Sequence, residues 1–302
     1  MSKITVVIPL YNKEKYIARA INSVLAQTFQ DFEIVVVNDG STDNGPKIVE
    51  NIKDSRIRLI NQINKGASFA RNRGVEESKS DLIAFLDADD EYLPMFMERA
   101  VGFVAAHPSV STVFTNRTII KDNTPWLVCP FSTARMLENY FDFAVQNGGR
   151  GMTSSSIVVQ KNIFRDVGGF PLGINRGEDT DTFIRLVMAG EVGCMPEVLS
   201  VFHTEASDSD TLYPQPPFPA AVKTMRQFRA ENRIPCRFAK SILTLENLYL
   251  LQYSKELADY GDWSGAMRVL YQECQIRHCP KKRFAKIQCR LILKWLLQKW
   301  RP

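Results

Sequence analysis

The sequence predicts an α/β fold, with a mostly parallel central sheet flanked by helices and an all-helical C-terminal extension. Three observations carry this. Short β-branched runs alternate with helix-length amphipathic segments over the first hundred residues. Each strand-like run ends in polar residues. Strand signals stop at Ala220, and the rest reads as helix.

Ile4–Leu10 (ITVVIPL) is the first strand, with Pro9 near its end. Lys13–Gln27 then carries Tyr16, Ile17, Ala20, Ile21, Val24 and Leu25 at helical spacing. Phe32–Asn38 is a second buried strand, stopped by Asp39-Gly40-Ser41, and Asp43–Ile52 a helix. Ile57–Asn61, Ala67–Ser78 and Leu82–Leu86 continue as strand, helix and strand. Beyond Pro94 the pattern gives a helix over Met95–His107 and a strand over Thr112–Thr118. Residues 121–152 read as irregular. Ser154–Gln160 resumes strand character, Thr180–Ala189 is a helix and Val198–His203 a strand. Ser207–Pro219, rich in Ser, Asp and Pro, is a candidate lid. Further on, Tyr260-Gly261-Asp262-Trp263 marks a helix–turn–helix hairpin.

Of the 302 residues 45% are hydrophobic and 24% charged, an ordinary globular balance. The net charge of +5 is concentrated at one end. Residues 281–302 (KKRFAKIQCRLILKWLLQKWRP) hold eight Lys/Arg and no acid, which leaves 30 basic against 33 acidic residues elsewhere. The body therefore gives little support to nucleic-acid binding. Phe284, Ile287, Leu291, Trp295 and Leu296 fall at helical spacing among the tail's cations, as in a helix lying on an anionic membrane surface. The alternative is a helix packed on protein. A signal peptide is not expected, nor a membrane-spanning helix. The six cysteines lack a C-x-x-C pair, and Cys274, His278 and Cys279 are read as incidental helix packing rather than zinc ligands. A reducing, cytoplasmic setting is expected.

Ligands of parallel sheets sit beyond the carboxyl ends of the strands. There this chain offers Tyr11 and Asn12, Asn38 and Asp39, Asn61 and Asn64, and the acids of LIAFLDADD, Asp87, Asp89 and Asp90. In extended chain Asp87 and Asp89 would share a face and suit a hard divalent cation, although the same acids could cap the following helix. A dinucleotide fingerprint and a P-loop are both absent, and the Asp-x-Asp lacks the continuation of a dehalogenase-like phosphatase.

Three stretches occur together and in order: TVVIPLYNKEKYIARAINSVLAQTFQDFEIVVVNDGSTDN, NKGASFARNRGVEESKSDLIAFLDADD and VGGFPLGINRGEDTDTFIRL. Through them the chain resembles the inverting family 2 glycosyltransferases of the GT-A nucleotide-diphospho-sugar transferase fold, over roughly residues 3–205. The resemblance implies a catalytic domain over 1–219, with a nucleotide-binding half at about 1–95 and an acceptor half at about 96–219, and a helical region over 220–302. It implies a UDP-sugar donor held by Pro9, Tyr11, Asp39, Arg71 and Asp87. Tyr11 would stack on the base, Asp39 would accept from the uracil, Arg71 would help hold Asp39 or the nucleotide, and Asp87 would lie toward the ribose. Asp89, with His203, would ligate Mn²⁺ or Mg²⁺ at the diphosphate, with Asp90 in support or capping a helix. Asp179 would be the base that deprotonates an acceptor hydroxyl, and Glu178 would bind a sugar. Thr180 stands where the family often has a larger residue. Lacking Q-x-x-R-W, the chain is expected to transfer single sugars to a glycan or lipid-linked acceptor at the inner face of the cell membrane, in polysaccharide-type biosynthesis. The competing readings are a non-catalytic nucleotide-sugar-binding scaffold and a metal-dependent phosphoryl-transfer enzyme.

Overall fold

The computed structural model describes residues 3–121, 124–127, 132–174, 176–204, 215–278, 281–282 and 284–289. The chain divides into two compact units: Met1–Glu138 with Met152–Ser207, and Asn139–Gly151 with Asp208–Pro302.

The first unit is built on one sheet. Strands β1 (Ile4–Leu10), β2 (Phe32–Asp39), β3 (Ile57–Gln62) and β4 (Leu82–Phe85) run parallel in the order β3-β2-β1-β4. The sheet continues through β9 (Ile157–Gln160), β6 (Val110–Lys121), β10 (Glu191–His203) and the two-residue β5 (Glu91–Tyr92). β9 pairs antiparallel with both β4 and β6, β10 is parallel to β6, and β5 is antiparallel to β10. Only β9 and β5 therefore oppose the common direction on this path. The carboxyl ends of β1, β2, β4 and β10 consequently emerge along one edge.

Burial explains the central strands. β2 is buried at every residue, as expected of a parallel strand covered on both faces. Its Val36 and Ile34 join Ile4, Val6, Ile8, Ile17, Ile21 and Val24 in the main core. Helix α3 (Ala67–Glu77) lies close against β1: a Cβ on Gly74 would come within 2.2 Å of Val7 Cγ1. Among the described residues no helix is long and apolar enough to cross a membrane.

Several expected bounds change. Helix α1 covers Ile17–Leu25, because Lys13–Tyr16 is taken up in a turn whose Lys13 carbonyl accepts from the amides of Tyr16 and Ile17. α2 covers Gly45–Asn51, with Pro46 in its first turn, and α4 covers Phe96–Ala106. The stretch expected to be irregular holds β7 (Thr124–Leu127), β8 (Arg135–Leu137) and α5 (Tyr140–Gln146). α5 is too short to show a period, and its signal is the Asn139 cap, whose side chain accepts from Phe141 N and Asp142 N. Ser154–Ser156 is a 3₁₀ turn ahead of β9. α6 spans Lys161–Asp166, and α7 starts at Glu178 and ends at Ala189. β10 begins seven residues earlier than its pattern suggests, since register shifts around Met195/Val198 and Val198/Ser200 carry the strand past Pro196.

The second unit is helical: α5, α8 (Ala220–Ala230), α9 (Cys236–Tyr260), α10 (Trp263–Arg268) and a π-turn over Val269–Glu273. α5 is fastened to α9 by Ser241 Oγ donating to Asp142 Oδ1 at 2.5 Å and by the Phe141–Phe238 ring pair at 5.2 Å. The expected hairpin turns at Gly261, whose φ of 104° needs glycine, and Asp262 caps α10 through Gly265 N. Most of the Ser207–Pro219 lid candidate and of the basic tail, including Leu291, Trp295 and Leu296, lies outside the described residues.

Candidate active site

The strand edge gathers three groups of polar residues, each fixed by its own backbone. At the end of β1, Tyr11 is 48% exposed, an open ring face immediately after buried Leu10, with Pro9 in the strand before it. Asn12 takes φ 51°, and its Oδ1 accepts from Thr42 N at 2.8 Å, which ties the β1 and β2 loops together. At the end of β2, buried Asp39 accepts from Gln62 Nε2 (2.7 Å), Lys65 N (2.9 Å) and Gly66 N (2.8 Å). Gly40 turns the chain at φ 74°, and a Cβ there would meet Asn64 N at 2.8 Å.

After β4 the extended alternation expected for the acids gives way to a tight turn, closed by Asp90 N donating to Asp87 O at 3.0 Å. The three carboxylates therefore meet three different environments. Asp87 faces Arg71, whose Nη2 is 2.6 Å from its Oδ1. Asp89 faces Lys13, with Nζ 3.0 Å from its Oδ2. Asp90 is fully buried, accepting from Ser155 Oγ at 2.5 Å and from His203 N at 3.2 Å. It caps no helix; it joins the β4 end to the 3₁₀ turn and to the end of β10. Ser155 Oγ also accepts from Asp87 N at 3.1 Å.

Arg71 crosses the site. Buried on α3, it donates through Nη1 to Glu178 Oε1 at 3.1 Å as well as to Asp87, and stacks 5.1 Å from the Phe170 ring. Of the two partners expected for Arg71, Asp39 or the nucleotide, Asp39 is not the one it meets: its guanidinium is drawn to Asp87 and Glu178, while Gln62 and two backbone amides hold Asp39. Asn72 reinforces the crossing, exchanging hydrogen bonds of 2.8 Å each with the Phe170 backbone. Gly169 at φ 64° admits this approach, since a Cβ there would meet Asn72 Oδ1 at 2.6 Å.

Glu178 and Asp179 open α7, where acids suit the helix N-terminus. Asp179 Oδ1 accepts from Thr180 N at 2.6 Å. His203 ends β10 with Nε2 2.6 Å from Glu91 Oε1, and Arg19 links to the same region through Asp89 O at 2.6 Å and Glu91 Oε1 at 3.3 Å. Lys13, Arg19, Glu91 and Ser155 are site residues that sequence reasoning missed. The available signals were the Lys-Glu-Lys two residues after the first strand and the triple serine before β9.

Burial and mutual repulsion set the electrostatics of these acids. Burial, and then the charge of Asp87, push the Asp89 carboxyl up, with Lys13 working against both. Burial and Asp87 raise Asp90 well above the ordinary range. Burial, followed by Asp179, raises Glu178. Burial disfavours the Arg71 charge, but Asp87 and Glu178 outweigh it and raise that group. The donors at the strand edge are carboxylate oxygens, the chemistry that Mg²⁺ and Mn²⁺ prefer. Among the described residues no three His, Cys, Asp or Glu side chains form a ready cage. Asp89 faces Lys13 and His203 faces Glu91 in this arrangement.

The model of glycosyl transferase family 2 matches residues 5–168. An uncharacterized glycosyltransferase of Nostoc sp., alr2836, is 45% identical over 102 residues, covering 33% of this chain and 32% of the relative. An uncharacterized glycosyltransferase of Rickettsia bellii is 28% identical over 217 residues, 70% of this chain and 30% of the relative. The chain thus spans about a third of the length of these curated relatives. Among solved structures, S. aureus TarS 1-349 in complex with UDP-GlcNAc superposes with a TM-score of 0.66 at 18% identity, over 88% of this chain and 90% of that one. The fold is therefore the GT-A fold, and the chain belongs to glycosyl transferase family 2.

Proposed function

We propose that this chain transfers a single sugar from a UDP-sugar to a glycan or lipid-linked acceptor, with inversion, in polysaccharide-type biosynthesis. The observation that carries the reading is the Arg71 bridge, which ties the strand-end acid Asp87 to the Glu178-Asp179 pair. Donor-side and base-side chemistry are thereby held on one cation. Exposed Tyr11 supplies a stacking face for uracil, and Asp39, oriented by its three donors, retains one lone pair on Oδ2 for the base. Pro9 stiffens the strand end that presents Tyr11. Asp87 would lie toward the ribose.

Asp89 would hold Mn²⁺ or Mg²⁺, with His203 as a further ligand if it leaves Glu91; when bound, the cation supplies charge neutralisation at the departing diphosphate. Asp179 takes the proton of the acceptor hydroxyl. Glu178, pinned by Arg71, orients rather than abstracts, which separates the roles of the adjacent acids. The complexes of TarS with UDP-GlcNAc and with UDP support the nucleotide class, since TarS shares the fold. The test is UDP binding by calorimetry with and without Mn²⁺. Mn²⁺ should tighten UDP binding to the wild type and not to Asp89→Ala; equal Mn²⁺ dependence in both would reject the reading.

The basic tail adds a location. Residues 281–302 would rest on an anionic membrane at its cytoplasmic face. Removing them should abolish co-sedimentation with anionic liposomes, and unchanged sedimentation would sink this part of the reading.

A further inference from the structure

Lys13 is fixed where β1 turns into α1: its carbonyl accepts from both Tyr16 N and Ile17 N at 3.0 Å. Its ammonium lies 3.0 Å from Asp89 Oδ2, and the two side chains are 23% and 19% exposed. Arg19 Nη2 independently holds the Asp89 backbone carbonyl at 2.6 Å, and Arg19 and Lys13 lie 5.5 and 5.9 Å from the Tyr16 ring. The Asp89 backbone is therefore anchored by one cation and its carboxylate charge is met by another.

That division has a consequence for metal loading. A divalent cation of this kind sits at roughly 2.1 Å from a carboxylate oxygen, closer than the ammonium, and repels a positive charge a few ångströms away. Lys13 and the metal cannot both keep Asp89 Oδ2 as their partner. Lysine suits the exchange, as a compact charge on a flexible stem with rotatable donors. We infer that Lys13 is the resident counter-cation of Asp89, displaced when Mn²⁺ or Mg²⁺ binds, and that this competition sets the concentration at which the site takes up metal. The inference rests on the reading of Asp89 as the metal anchor. Lys13 acts here as a positioning residue, holding the empty carboxylate in place and yielding it on loading.

The experiment is a titration of the full chain with Mn²⁺ alone, the free aquo ion followed by electron paramagnetic resonance. Lys13→Met should bind Mn²⁺ up to about fivefold more tightly than the wild type, the size expected when one partly exposed ion pair no longer competes. Lys13→Arg, which keeps the charge, should bind close to the wild-type affinity. In an Asp89→Asn background, Lys13→Met should change nothing, as a double-mutant cycle requires if the effect passes through Asp89. Metal-free thermal unfolding checks that each variant is folded, with Lys13→Gln replacing Lys13→Met if the latter is not. Unchanged or weaker Mn²⁺ binding in a folded charge-removed variant, with wild-type binding intact, overturns the role of Lys13 and leaves Asp89 as the anchor. Mn²⁺ binding by Asp89→Asn equal to the wild type removes the anchor itself, and the competition with it.

Discussion

Each unit of the molecule has a cluster of arginines and acids, and the two differ in charge balance. In the helical unit, Glu246, 3% exposed, is met by Arg226 Nε and Arg229 Nη1 at 2.7 and 2.8 Å, and Arg226 also reaches Glu273 at 2.8 Å. Two acids face two arginines. At the strand edge of the other unit, Asp87, Asp89, Asp90, Glu178 and Asp179 share only Arg71 and Lys13 as ion-pair partners among the described residues. The first cluster is satisfied as it stands and fastens helices. The second carries an excess of negative charge among partly desolvated groups, which is tolerable only with an added cation or with protons. The balance of a network, more than its burial, separates a fastener from a site.

The largest effect should come from Asp179, for which no ion pair is found among the described residues. Asp179→Asn should lower sugar transfer by roughly 10²–10⁴-fold, the range of a positioned general base, with UDP affinity kept. Transfer measured with an isotope-labelled donor at the wild-type rate would move the base elsewhere and blur the contrast between the clusters. The balanced network should respond in stability instead. Glu246→Ala strands two arginines that are about one-third exposed, and should cost about 2 kcal/mol of unfolding free energy, read from denaturant melts. Its UDP affinity should match the wild type. A loss of UDP binding in a folded Glu246→Ala protein would show that the helical cluster serves the site as well.

Much of the site was legible in the sequence because strand-end acids declare themselves. Asp39, Asp87, Asp89 and the Glu178-Asp179 pair each stand directly after a buried run or before a helix. The cations that meet them were not legible. Arg71 and Glu178 are 107 residues apart, and nothing local to ARNRG says that its guanidinium will prefer Asp87 and Glu178 to Asp39. Lys13 falls inside the helix expected over Lys13–Gln27, whereas α1 starts at Ile17 and leaves it in the preceding turn. The fold was legible through its periodicities, apart from the places where periodicity has too few residues to act. α5 depends on an asparagine cap, and β10 on bulges that carry a strand past a proline.

Gly74 lies one helical turn beyond Arg71, pressed on Val7 of the first strand. Even a methyl group there would have to lift the helix from the sheet, drawing the guanidinium back from the two acids it spans. The reach of Arg71 is thus set by the smallest residue of its helix, so a designer wishing to part Asp87 from Glu178 could leave every charged group untouched and add one carbon at position 74.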